Sequence, residues 1–276
     1  MHLVEANGAR IPALGFGTWE LRGGTAQRLV EAALAIGYRH IDTAQMYGNE
    51  ADVGAALRAG GVPREQIFVT TKIWPDRFRA GDLERSVDES LRKLGLHEVD
   101  LLLLHWPNPS VPLAETLGAL NKAHAQGLTR HVGISNFTAS MIEEAVRLST
   151  APLVTNQVEY HPLLSQRRVL ETCRANGLSL TAYCPLARGR VFSEPTLSRV
   201  AQQHGRDPGQ VALRWLVQQP GVIAIPRSSK VAHARSNFAV FDFELLPAEM
   251  EEIGALGSAA GRVVDAAGMS PAWDSA

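Results

Sequence analysis

Short apolar runs recur along this chain, each followed by an amphipathic helical pattern, and this alternation limits the available folds more than any other feature. The runs are LGFGT near 14–18, HIDTA at 40–44, IFVTTKI at 67–73, VDLLLLH at 99–105, TRHVGIS at 129–135, LVTNQVE at 153–159, LSLTAYC at 178–184 and VIAIP at 222–226. They carry too few polar positions to be strands with one solvated face, so they read as parallel strands buried on both sides. Between them lie helical patterns such as TAQRLVEAALAIG, EADVGAALRAG, LERSVDESLRKLG, LAETLGALNKAHAQG and SMIEEAVRLS. Several end at a glycine suited to a left-handed C-cap. Eight β-then-α units in succession predict an α/β chain folded as a (β/α)8 TIM barrel. Residues 2–13 precede the repeat as two short strands around Asn7-Gly8, a pair suited to a type I′ hairpin turn. No linker-like stretch or shift in composition divides the chain, so residues 1–276 read as one domain, with 265–276 as a short tail lacking regular structure.

In such barrels the reactive groups sit at the C-terminal ends of the strands and in the loops that follow. The second run delivers Asp42 there, its loop presents Tyr47, the third run delivers Lys72 and the fourth ends in His105. Taken singly, each has a bland reading: a capping aspartate, a packed tyrosine, a solvated lysine, a core histidine. Together, at three consecutive strand ends, they describe one pocket holding two opposite charges and a phenol. In low dielectric a lysine ammonium beside a tyrosine is expected to lower the phenol's pKa, while the aspartate keeps the lysine charged. A tyrosine so placed can serve as an acid near neutral pH.

The basic residues are dispersed and the formal net charge is −1, which leaves no electrostatic footprint for nucleic acid or an anionic membrane. No stretch approaches a membrane span, and no basic segment followed by an apolar run opens the sequence. The two cysteines, Cys173 and Cys184, show no metal-like or disulfide-framework spacing, and the histidines are scattered without ligand spacing. These features predict a cytoplasmic protein of a reducing compartment that acts on small molecules and holds no metal. The chain also lacks a G-x-G-x-x-G turn between strand and helix, so a Rossmann domain is unsupported. Ser135, Asn136 and Gln157 nevertheless bring amide and hydroxyl groups to the ends of strands five and six, where they can hydrogen-bond a carboxamide or simply satisfy local backbone. Tyr183, at the end of strand seven, is suited to stack on a flat ring or to pack in the core.

The segments GFGTW, DTAQMYGNE, TK, LLHWP, GISNF, NQVEYHP, AYCPL and IPRS, spread from about Gly15 to Leu245, together resemble the aldo-keto reductase pattern. Within that family the chain looks most like prokaryotic 2,5-diketo-D-gluconic acid reductases. The resemblance implies an NAD(P)H-dependent carbonyl reductase that binds an extended cofactor across the barrel mouth. Asp42, Tyr47, Lys72 and His105 match the catalytic tetrad, with Tyr47 as general acid. By position, Ser135, Asn136 and Gln157 would hold the carboxamide and Tyr183 would stack on the nicotinamide. Gly17, Thr18 and Asp42 would lie near the adjoining ribose, and Cys184, Pro185, Leu186, Arg188 and Gly189 would line the pyrophosphate. Arg227, Ser228, Ser229, His233 and Asn237, within IPRSSKVAHARSN, would hold the adenosine end. There His233 stands where relatives carry an arginine for the 2′-phosphate, and Ser236 replaces a glutamate. A neutral histidine lacks the fixed guanidinium fork, so NADPH is the expected cofactor through Arg227, with NADH as an alternative.

Trp19, Trp74 and Trp106 follow strand ends that carry these groups, and the resemblance puts them around the substrate. Trp273 is expected to fold over the mouth, whereas Trp215 reads as core. Short loops imply an open site for small aldehydes, ketones or sugar-derived dicarbonyls, in a protein expected to be monomeric. Two rival readings are a lyase using Lys72 as a Schiff base, disfavoured by the charge Asp42 imposes, and a nicotinamide-binding subunit of a membrane channel.

Overall fold

The computed structural model describes residues 2–274. It opens with an antiparallel hairpin, β1 (Leu3–Ala6) and β2 (Ala9–Pro12). The turn residues Asn7 and Gly8 take φ angles of 42° and 88°, the left-handed pair a type I′ turn requires. The Asn7 side-chain amide donates to the carbonyls of Leu153 at 2.7 Å and Asn176 at 3.1 Å, which pins the hairpin across the N-terminal end of the barrel.

Then come β3 (Phe16–Gly17), α1 (Gly23–Ile36), β4 (His40–Asp42), α2 (Glu50–Ala59), β5 (Phe68–Ile73), α3 (Asp82–Leu94), β6 (Val99–Leu104), α4 (Leu113–Ala125), β7 (Thr129–Ser135), α5 (Ala139–Leu148), β8 (Leu153–Glu159), α6 (Arg167–Ala175) and β9 (Ser179–Tyr183). Two helices, α7 (Pro195–His204) and α8 (Pro208–Val217), fill the connection to β10 (Val222–Ala224), and α9 (Val231–Phe238) and α10 (Pro247–Gly254) follow. The strands β3 to β10 pair in parallel in sequence order. Bridges from Leu14 to Ala224 and from Gly17 to Arg227 join the first strand to the last and close the barrel. Helices and strands share one hydrophobic core, in which Ile41, Val69, Leu102, Val132 and Leu180 are fully buried on the strands.

All eight expected strands are present, and the first, second and last keep only two or three residues of their apolar runs. Of the expected glycine caps, Gly95 and Gly127 are left-handed at φ 67° and 73°, whereas Gly60 keeps helical angles and Gly61 makes the turn instead. Trp215 lies inside α8 and is buried, as expected of a core residue. Residues 265–274 contain no helix or strand, while 275–276, the last two positions of the expected tail, lie outside the described residues. No described helix is long and apolar enough to cross a membrane.

Candidate active site

Parallel strands that all run one way around a barrel deliver their last residues to one rim. Asp42 ends β4, Ser135 ends β7 and Tyr183 ends β9, while Lys72 is the penultimate residue of β5 and His105 directly follows β6. They meet at a cleft of about 600 Å³, within the range of a small-molecule site. Its floor is polar and its rim aromatic.

Lys72 lies beneath the floor with no exposure. Its ammonium donates to Asp42 Oδ1 at 2.5 Å, to the Thr43 carbonyl at 2.8 Å and to the Tyr47 hydroxyl at 3.3 Å. Those three bonds use all three of its protons. Asp42 is held on its other oxygen by the Gln157 side-chain amide at 2.8 Å, and its carbonyl accepts from Thr18 Oγ1 and the Thr18 N–H, both at 3.0 Å. Burial lowers the Lys72 pKa, opposed by the Asp42 charge. Because the Tyr47 oxygen accepts from Lys72, its own proton is left for another partner.

The phenol's pKa moves opposite to the sequence expectation. Burial, followed by the Asp42 charge, pushes Tyr47 well above its ordinary value. The desolvation cost of a phenolate outweighs one ammonium already neutralised by its aspartate. His105 lies 5.7 Å from the Tyr47 ring, centre to centre, and burial followed by the Lys72 charge lowers its pKa well below the ordinary value. At neutral pH the pair is therefore a phenol and an uncharged imidazole. The imidazole's Nδ1 is buried without a partner among the described residues.

Ser135, Asn136, Gln157 and Tyr183 form a closed set of hydrogen bonds along one wall. Asn136, in the left-handed region at φ 65°, donates to the His105 carbonyl at 2.9 Å and to Ser135 Oγ at 3.2 Å. Its amide oxygen accepts from the Tyr183 hydroxyl at 2.8 Å, and Ser135 Oγ donates to the Gln157 carbonyl at 2.7 Å. Among the described residues no protein donor reaches Gln157 Oε1, so one amide acceptor remains open.

Gly17, Thr18, Trp19, Asp42, Tyr47, His105, Trp106, Ser135, Asn136, Gln157, Tyr183, Cys184, Pro185, Leu186, Arg188, Gly189 and Arg227 all line the cleft. Ser228, Ser229, His233 and Asn237 do not line it. Ser228 closes a local turn with Lys230, His233 is exposed on the first turn of α9, and Ser236 donates to Asp207. Trp74 is not among the lining residues, but its ring stands edge-on to His105 with centres 5.2 Å apart. Trp273 is not a lining residue itself, but its ring stands edge-on to Trp106, which is, with centres 6.3 Å apart.

Sequence reasoning missed Glu20, Met46, Phe192, Ile225, Pro226 and Val264, which complete the lining. Glu20 pairs with Arg227 at 3.3 Å across the cleft, and the same guanidinium donates to the Trp19 carbonyl at 3.1 Å. Adjacency to GFGTW was a usable signal for Glu20. Phe192 lies in a kinked 3₁₀ stretch, Ala187–Ser193, and Val264 in a segment without regular structure, and neither has a periodic pattern to mark it.

The fold and this floor define a barrel oxidoreductase class, and sequence comparison assigns it: the aldo/keto reductase family model matches residues 13–257, and the chain belongs to that family. Methylglyoxal reductase DkgB of Yersinia pestis is 41% identical over 267 residues, covering 96% of this chain and 99% of that protein. Aldo-keto reductase family 1 member A1 of Rattus norvegicus is 37% identical and covers 90% of this chain and 87% of its own length. Among solved structures, a protein described as a 2,5-diketo-D-gluconic acid reductase B superposes with a TM-score of 0.98 at 51% identity, covering 100% of this chain and 98% of that one. The aldose reductase of Schistosoma japonicum superposes with a TM-score of 0.89 at 33% identity, covering 94% of this chain and 93% of its own.

Proposed function

We propose that this chain is an NAD(P)H-dependent carbonyl reductase that converts small aldehydes, ketones and dicarbonyls to alcohols, with Tyr47 as general acid. The observation that carries this reading is the hydrogen bonding of Lys72. Its three protons are committed to Asp42, Thr43 and Tyr47, so the phenol's own proton faces the cleft beside an uncharged His105. A phenol kept protonated is the form that can protonate a developing alkoxide. His105 orients the carbonyl oxygen, and with Tyr47 it stabilises the charge that grows there.

A bound nicotinamide cofactor would supply the hydride. The fit of this chain to such a group rests on the open acceptor of Gln157, set in the Ser135–Asn136–Tyr183 wall, and on Arg188 and Arg227 lining the same cleft as cations for phosphates. Arg227 favours NADPH. The exposed His233 offers no fixed fork, so NADH is admitted as a second cofactor.

The names of the DkgB relatives and of the diketogluconate reductase neighbour favour a small dicarbonyl as substrate. The aromatic rim of Trp19 and Trp106 suits such a compact compound. Two free thiols, Cys173 and Cys184, fit a reducing, cytoplasmic setting, and we read the chain as a monomer. The committed protons and complete burial of Lys72 speak against a Schiff-base lyase.

The test is Tyr47→Phe. Loss of a general acid lowers kcat by about 10²–10⁴, while NADPH and NADH titrations followed by tryptophan fluorescence stay close to the unsubstituted protein. Normal turnover in this variant would remove Tyr47 from the chemistry, and binding of neither nucleotide by the unsubstituted protein would remove the reductase reading.

A further inference from the structure

Tyr47 stands on the short loop between β4 and α2, within a single 3₁₀ turn, Gln45–Tyr47. The turn is closed by the Tyr47 N–H on the Ala44 carbonyl at 3.1 Å and the Gly48 N–H on the Gln45 carbonyl at 3.0 Å. One such turn is too short and too weakly bonded to fix a side chain by itself. The downstream end of the loop is held by the buried Asn49, which accepts from Thr43 Oγ1 at 2.8 Å and donates to the carbonyls of Thr18 and Leu21 at 2.8 and 2.9 Å. The side that faces α3 is held by Gln45.

The Gln45 amide is engaged at both ends. Nε2 donates toward the Ser86 carbonyl at 2.8 Å, Ser86 Oγ at 2.7 Å and Ser90 Oγ at 3.0 Å, while Oε1 accepts from the Trp74 N–H at 3.3 Å. A carbonyl only accepts and a backbone N–H only donates, so these two neighbours fix which way the amide points. Ser86 and Ser90 lie one turn apart on the buried face of α3. One side chain therefore joins the turn that carries Tyr47, the helix behind it and the end of β5, where Trp74 stands edge-on to His105. Gln45 itself does not line the cleft.

The Tyr47 hydroxyl has little room to move. Its 3.3 Å bond is the longest of the three that Lys72 makes, and a shift of about half an ångström away from the ammonium would break it. We propose that Gln45 is a positioning residue for carbonyl reduction: by clamping the 3₁₀ turn to α3 and to Trp74, it holds the Tyr47 hydroxyl on Lys72 and beside His105. This role rests on the reading of Tyr47 as general acid.

The experiment uses Gln45→Leu, which keeps most of the volume and removes every hydrogen bond of the amide, beside Tyr47→Phe and the variant carrying both. Steady-state kcat and KM for methylglyoxal are measured, with NADPH affinity from tryptophan fluorescence. In Gln45→Leu kcat should fall by about 10- to 100-fold, as misplacement of a reacting group by up to about 1 Å does. KM and NADPH affinity should stay within about twofold, because no group that lines the cleft is lost. In the Tyr47→Phe background the same substitution should lower kcat by less than about twofold, since no hydroxyl is left to misplace. A general loosening of the fold would lower kcat by the same factor in both backgrounds.

A kcat in Gln45→Leu within twofold of the unsubstituted protein, or an equal loss in both backgrounds, overturns the role. If Gln45→Leu does not fold, the variant Ser86→Ala, Ser90→Ala carries the same comparison. It leaves Gln45 only the Ser86 carbonyl and Trp74, so kcat should fall by about two- to tenfold, the worth of a lost hydrogen bond, and an unchanged kcat overturns the role. Normal turnover in Tyr47→Phe would remove the acid and the positioning role together. Loss of turnover in Tyr47→Phe with full kcat in Gln45→Leu would leave the acid in place and remove the positioning role alone.

Discussion

Replacing Lys72 by Met should destabilise the protein more than most single substitutions, and Asp42 is the reason. Lys72 and Asp42 are 2.5 Å apart with side chains 0% and 2% exposed. Without the ammonium, Asp42 keeps only the Gln157 amide on its carboxylate, and the Thr43 carbonyl and Tyr47 oxygen each lose a donor. Breaking one side of a buried pair costs about 3–5 kcal/mol, because the remaining charge stays out of water. At about 2 °C per kcal/mol for a chain of this size, the midpoint should fall by about 6–10 °C. The double variant Asp42→Asn, Lys72→Met removes both charges, and Asn can still accept from Gln157. It should therefore regain at least half of that loss while remaining inactive. Thermal unfolding followed by circular dichroism, with urea titration at 25 °C, measures both variants. A single variant within about 1 kcal/mol of the unsubstituted protein, or a double variant no better than the single, would refute the buried-pair argument.

Three further outcomes follow from the same structure. Burial holds His40, His105 and His131 below the ordinary histidine value of 6.5. The unfolded chain takes up those protons first, so stability is full above that value and declines as pH falls below it; midpoints measured from pH 7.5 to 5 should drop, and a flat profile would contradict buried neutral imidazoles. Glu20→Gln frees Arg227 from its carboxylate and should tighten NADPH by about two- to fivefold, the worth of an exposed ion pair, with a smaller gain for NADH; fluorescence titration at two salt concentrations reads this, and equal gains for both nucleotides would place Arg227 away from the 2′-phosphate. Asn7→Ala removes two hydrogen bonds that fasten the hairpin beneath the barrel and should cost about 1–2 kcal/mol without altering kcat; a matched loss of kcat in steady-state assays would show that the hairpin bears on the site.

Much of this protein was legible before folding because its information is local. A run such as VDLLLLH can be buried only on both faces, and the alternation of such runs with amphipathic helices leaves the closed barrel as its regular solution. That geometry puts strand ends on one rim, which is why Asp42, Lys72 and His105 could be grouped without knowing a distance. Asn7-Gly8 was readable for the same reason, since a two-residue turn is governed by its own φ angles.

What the residues could not announce depends on neighbours distant in the chain. Tyr47 was expected to be acidified by Lys72, but its pKa is governed by how much water the surrounding rim excludes, and burial prevails. Glu159 in NQVEYHP gave no sign that it grips Val263 and Val264, more than a hundred positions later. The placing of Trp273 against Trp106 and Arg262 could not be read from its own stretch either, since Asp274 fastens that segment to Ala139 on a distant helix. The sequence by itself determined the barrel and the identities at its rim, since periodicity and strand direction are properties of short stretches. Only the tertiary structure decided protonation, the hold of Glu159 on Val263 and Val264 and the Glu20–Arg227 contact, since burial and charge pairing are set by segments that meet only once the chain has folded.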